Sequence, residues 1–193
     1  MLAAGLAIAV IAAVGMVAAA LCRGEPRVFA GAVIYAAALL AMLGFSLLYR
    51  SAVDPERRRR LRRFDHAAIF AMIAGSATPF ALAQPGGRGL VVAAALWAVA
   101  GGGIAFKLRY PIQSLRRSAL FYVMLGWAAL VAVGPAVSVG TALLIAVGGV
   151  FYSAGVPVLL WRTRPYRLAI WHSFVLAGAA CHYLAILYGV VRG

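Results

Sequence analysis

Apolar runs about as long as a bilayer is thick recur from one end of this chain to the other. They cover Leu2–Cys22, Val28–Tyr49, Phe64–Ala83, Leu90–Phe106, Ser118–Val133, Val137–Leu160 and Leu168–Val191. A membrane-crossing helix needs roughly 20 apolar residues, whereas a membrane β-strand needs about 9–11 and alternates apolar with polar. These runs are too long and too uniform for strands. In lipid every backbone N–H and C=O must be satisfied internally, which a helix achieves alone. The expected fold is all-α and integral to a membrane, a bundle of seven transmembrane helices making one domain over residues 1–193.

Composition narrows the function classes. Of 193 residues, 65% are apolar and 11% charged, against about 25% charged in a soluble domain. So little polar surface excludes a soluble enzyme, a disordered chain and a large domain outside the membrane. The net charge of +14 does not indicate a nucleic-acid partner. In a membrane protein, clustered arginine is an orientation signal that faces anionic lipid. The expected partners are membrane lipids, with the oligomeric state left open.

The basic residues are distributed unevenly. Arg50, Arg57–Arg60, Arg62 and Arg63 follow the second run. Lys107, Arg109, Arg116 and Arg117 follow the fourth, and Arg162, Arg164 and Arg167 follow the sixth. The opposite side holds Arg23, Arg27, Arg88 and Arg192. The positive-inside rule then predicts a cytoplasmic amino terminus and a carboxyl terminus outside. Gly75, Gly101–Gly103, Gly148, Gly149 and Gly178 suit close helix packing. Trp97, Trp127, Trp161 and Trp171 read as interfacial anchors. Cys22 and Cys181 have no CxxC partner, so neither a disulfide framework nor a cysteine metal site is expected.

Polar residues within a span are costly, so each needs a reason. Ser46 and Arg50 close the second run, Asp65 and His66 open the third, and His172 lies one turn into the seventh. Ser46, Arg50, Asp65 and His172 therefore share one membrane depth at the basic end. His182 lies about 15 Å further along its helix and reads as a bonded core histidine. No Gly-x-Ser-x-Gly nucleophile elbow is present.

The segments Ser46-Leu-Leu-Tyr-Arg50, Asp65 through Phe80 and Ile170 through His182 resemble the hemolysin III branch of the progestin and adipoQ receptor family, and the resemblance extends over nearly the whole chain. It implies a seven-helix protein of the plasma (inner) membrane with its amino terminus inside. It also implies a polar segment with a Thr-His pair ahead of the first helix, whereas the sequence opens on Leu2-Ala-Ala.

The family's zinc ligands are a histidine in Ser-x-x-x-His on helix two and two histidines in His-x-x-x-His on helix seven, with an aspartate on helix three assisting through water. Ser46 and Asp65 match. Arg50 stands at the helix-two histidine, Leu168 stands at the first helix-seven histidine, and His172 is the one matching ligand. Zinc takes three protein ligands in an open site, and neither leucine nor the cationic, donor-only guanidinium supplies one. No cofactor is therefore expected.

Two readings of Arg50 stand open. It replaces the metal's charge beside Asp65 as a guanidinium–carboxylate pair, or it snorkels toward headgroups with its neighbours. The resemblance implies three function classes. The expected one is a non-catalytic sensor or membrane-homeostasis protein with a degraded zinc site. The alternatives are a zinc-dependent amide hydrolase acting on ceramide-like membrane lipids and a pore-forming, haemolytic protein.

Overall fold

The computed structural model describes residues 2–110, 115–161, 163 and 165–193. Arg162 and Arg164, counted above among the basic residues after the sixth run, lie outside the described residues. The chain forms seven α-helices: α1 (Leu2–Arg23), α2 (Pro26–Ser51), α3 (Pro55–Leu82), α4 (Arg88–Arg109), α5 (Leu115–Val133), α6 (Val139–Leu160) and α7 (Arg167–Ile186). A π-helical turn over Leu187–Val191 prolongs α7. The bundle is all-α, with no strand among the described residues.

Six of the helices, all but α3, are long and apolar enough to cross a membrane. Large apolar side chains face outward along them, among them Ile11 at 74% exposure on α1, Val91 at 69% on α4, and Val131 at 75% on α5. A soluble surface does not carry so much continuous hydrocarbon. On a multi-pass membrane protein it is the face that meets lipid.

Helix α3 is the exception in composition and in position. Its buried side includes Ala67, Phe70, Met72, Ala74, Thr78, Phe80 and Ala81, and it packs against α2, α4 and α5. Its neighbours thus shield the polar groups that lower its hydropathy. The Thr78 hydroxyl donates to the Ala74 carbonyl at 2.7 Å and accepts from Trp97 Nε1 at 3.0 Å.

The start of α3 differs from the sequence expectation. The apolar run predicts a start at Phe64, but the helix begins at Pro55 and carries the whole arginine run. Local chemistry explains it. The Asp54 carboxylate accepts from the Arg57 backbone N–H at 2.6 Å, Pro55 occupies the first helical turn, and Glu56 follows it. A capping aspartate, an N1 proline and an early acid together make a strong helix start. The arginines therefore stand on a rigid helical extension, and only part of the run faces any one direction.

The break between α5 and α6 falls at Gly134–Ala136, a single 3₁₀ turn. Ser138 then caps α6, its hydroxyl accepting from the Thr141 N–H at 3.3 Å. Between α3 and α4, Gly86 adopts φ +73°, a conformation that L side chains disfavour. The tryptophans are also more than anchors. Trp97 bonds Thr78, Trp127 Nε1 donates to Ser153 at 3.2 Å, and the packed space beside Gly155 is filled by Trp171.

Candidate functional site: a basic-mouthed cavity

The arginine-bearing ends of α2, α3, α5 and α7, with α6 beside them, converge on one cavity of about 320 Å³. Helical periodicity sets its lining. Residues three or four apart share a face of a helix, so Met42, Ser46 and Arg50 line it from α2. Arg58, Arg62, Asp65, His66 and Ile69 line it from α3, and Leu168, His172 and Val175 from α7. Toward the opposite end the walls are mostly apolar, with Met72, Ile73, Phe80, Leu130, Val133 and Ile145, interrupted by Ser76, Tyr152 and His182.

All the site residues read from the sequence reach this cavity. Ser46 and His172 are buried, and Ser46 Oγ lies 3.4 Å from His172 Nε2. The other imidazole nitrogen, Nδ1, is 2.6 Å from the Leu168 carbonyl. Both ring nitrogens are therefore engaged within the protein. Leu168, 37% exposed, lines the cavity and gives His172 its carbonyl but no side-chain donor.

Asp65 and Arg50 are half-buried. The Asp65 carboxyl lies under the influence of the Ser46 hydroxyl and the charges of Arg50 and Arg62. No direct ion pair within 4.0 Å joins Arg50 to Asp65. The salt bridge formed among the described residues is Arg23 to Glu25, at 2.7 Å. Arg50 and Asp65 interact through the field across the cavity. The Nε of Arg50 is buried and has no hydrogen-bond partner among the described residues.

His66 lines the cavity, and its backbone carbonyl accepts from the Tyr122 hydroxyl at 2.9 Å. His182 forms part of the deep wall, where its Nε2 lies 3.2 Å from the Ile145 carbonyl and its ring meets Tyr152 edge-on at 5.5 Å. The Tyr152 hydroxyl is buried and has no hydrogen-bond partner among the described residues.

The donors at the family's ligand positions are one imidazole and one carboxylate, beside an arginine. Among the described residues, no three histidine, cysteine or acidic side chains form a group able to hold a metal ion. This donor set does not fit zinc, which takes three protein ligands.

Several participants escape the sequence reading. Arg58, Arg62 and Arg167 join Arg50 at the mouth. The four-residue spacing of Arg58 and Arg62 was the available signal, once the run is placed on a helix. Lys107 reads as a loop residue but is only 6% exposed. It lies in the last turn of α4, donates to Ser118 Oγ on α5, and sits 6.0 Å from the Tyr122 ring centroid. Through Tyr122 this clasp reaches the cavity wall.

Comparison with known proteins agrees with this architecture. Residues 1–183 match the family described as Haemolysin-III related. Hemolysin-3 of Bacillus cereus is 36% identical over 163 residues, covering 82% of this chain and 74% of that protein. The Hemolysin-3 homolog of Bacillus subtilis (strain 168) is 33% identical over 163 residues, covering 82% and 76%. No solved structure matches the chain. A family match over nearly the whole length, carried by a helical membrane bundle, makes this chain a member of the haemolysin-III family.

Proposed function

We propose that the protein is a non-catalytic, lipid-responsive member of its family, acting in membrane homeostasis from the plasma membrane with its amino terminus in the cytoplasm. One observation carries the reading: a cationic side chain, Arg50, lines the cavity where the resemblance implies a metal ligand, and the carboxylate of Asp65 lines the same cavity. A guanidinium there repels a metal cation and supplies a positive charge of its own. Arg50 thus acts electrostatically in the metal's place, supplying part of the positive field that the Asp65 carboxyl faces in a poorly solvated pocket.

Two measurements test this reading. Elemental analysis of the purified protein is expected to find no stoichiometric zinc, and the double change Arg50→His with Leu168→His is expected to create zinc binding. Stoichiometric zinc in the parent that His172→Ala abolishes would overturn the reading. A double-mutant cycle then isolates the charge interaction. Arg50→Ala is expected to lower stability by up to about 1 kcal/mol, the scale for partly exposed charges that make no direct contact. The same change in an Asp65→Asn background is expected to cost much less. Equal effects in both backgrounds would mean that Arg50 only snorkels.

The name Hemolysin-3 carried by the relatives favours a second reading, membrane lysis. The mostly apolar deep walls of the cavity weigh against it, since conduction needs a polar or charged lining.

A further inference from the structure

The cavity has two chemically distinct halves. Its mouth gathers four guanidinium groups, Arg50, Arg58, Arg62 and Arg167, around a single carboxylate, Asp65. Arg58 and Arg62 are exposed, while Arg50 and Arg167 are half-buried. One donor of Arg167 is used internally, on the Leu159 carbonyl at 2.8 Å, and Arg58 lies over the Tyr49 ring. Arg50 Nε is buried and has no hydrogen-bond partner among the described residues. A single carboxylate cannot neutralise four like charges held at one opening. Such a cluster attracts a multivalent anion, and phosphate oxygens match the guanidinium fork.

The inner half excludes a fully water-soluble anion as the complete ligand. Met72, Ile73, Phe80 and Leu130 continue the cavity inward as hydrocarbon, which favours an apolar occupant. The volume of about 320 Å³ lies at the small end of the roughly 300–1,000 Å³ typical of ligand sites. It suits a single chain better than a whole two-chain lipid. The mouth lies at the arginine-bearing ends of the helices, where headgroups lie beside a spanning bundle.

We propose that the mouth binds the phosphate of an anionic phospholipid and that one of its acyl chains enters the cavity. A zwitterionic headgroup would bring its own cation against the arginines and is disfavoured. This inference names the ligand of the lipid-responsive reading and rests on it. Metal analysis decides that reading, whereas lipid retention decides this one.

The test is native mass spectrometry of the full chain released from nanodiscs of equal phosphatidylglycerol and phosphatidylcholine. Phosphatidylglycerol is expected to remain bound at least tenfold over phosphatidylcholine. Arg62→Gln with Arg167→Gln is expected to remove that preference, and lysine at both positions to restore most of it. Arg60→Gln with Arg88→Gln, which changes arginines outside the cavity, is expected to leave it intact. Gly126 lines the cavity, and a Cβ there meets nothing within 4 Å. Gly126→Leu, whose Cβ meets open space, is expected to extend into the chain space and reduce retention at least fivefold.

Equal retention of the two lipids would overturn the proposal. So would a preference that Gly126→Leu leaves unchanged, since the headgroup alone would then account for binding. Displacement of the lipid by millimolar inorganic phosphate, with phosphate retained in its place, would assign the mouth to a free anion and equally overturn it.

Discussion

Gly31→Leu is expected to abolish the folded bundle, and Gly31→Ala to destabilise it by about 1–3 kcal/mol, the usual cost of overpacking a tight interface. A Cβ at Gly31 would lie 2.8 Å from Pro79 Cα. That atom belongs to the backbone of the last turn of α3, so no side-chain rotation relieves the contact. Gly75 approaches from the other helix, and a Cβ there would meet Ala38 Cβ at 2.6 Å. Together the two glycines set how closely α2 and α3 approach, and these helices supply Ser46, Arg50, Asp65 and His66 to the cavity. Separating them by even an ångström would break the polar constellation before it unfolded the protein.

Gly44 is the control. It lies on α2, and a Cβ there meets nothing within 4 Å, so Gly44→Ala should be neutral or stabilising by up to about 1 kcal/mol through helix propensity. Thermal unfolding in detergent, followed by circular dichroism, checks all of these. If Gly31→Ala and Gly44→Ala had the same melting temperature, α2 and α3 would not be in the contact described.

The second large effect is expected at the clasp between α4 and α5. Ser118→Ala should destabilise by about 1–3 kcal/mol, because a buried ammonium loses one of its acceptors. Lys107→Met should cost less. It keeps most of the apolar stem and leaves behind only a neutral hydroxyl, which is cheaper to bury than a charge. In the double variant the cost of Ser118→Ala should largely vanish, as for partners in one network. Denaturant unfolding of the four proteins measures this order. A reversed order, with Lys107→Met the worse, would show that the lysine stem rather than its charge stabilises the helix pair.

The sequence shows spans more readily than faces. Each apolar run is visible because its length matches the bilayer, and the breaks at Gly24, Gly86 and Gly134 coincide with turn chemistry. Which side of α4 or α6 faces its neighbours is not visible, since a helix that is apolar all round has no polar stripe to orient it. The site was legible to the extent that it consists of polar residues in apolar runs: Ser46, Asp65 and His172 stand out for that reason. Lys107 does not, because a cation at the end of a run looks like the first residue of a loop. The division of the arginine run into Arg58 and Arg62, which line the cavity, and Arg57, Arg59 and Arg60, which do not, becomes legible only once Asp54 and Pro55 are recognised as a helix start.

The placement of α3 also bears on how the chain enters its membrane. This helix carries the cavity's carboxylate, a histidine and an internal proline, and it alone falls short of the hydropathy that the other six reach. An aspartate near the centre of a lone helix raises the cost of insertion by about 2.5–3.5 kcal/mol, and even near an end it weakens partitioning. The segment least able to enter lipid by itself is thus the one around which α2, α4 and α5 pack. Its stable residence in the bilayer depends on the company of helices made before and after it, so biogenesis of this protein is a cooperative event rather than seven independent ones.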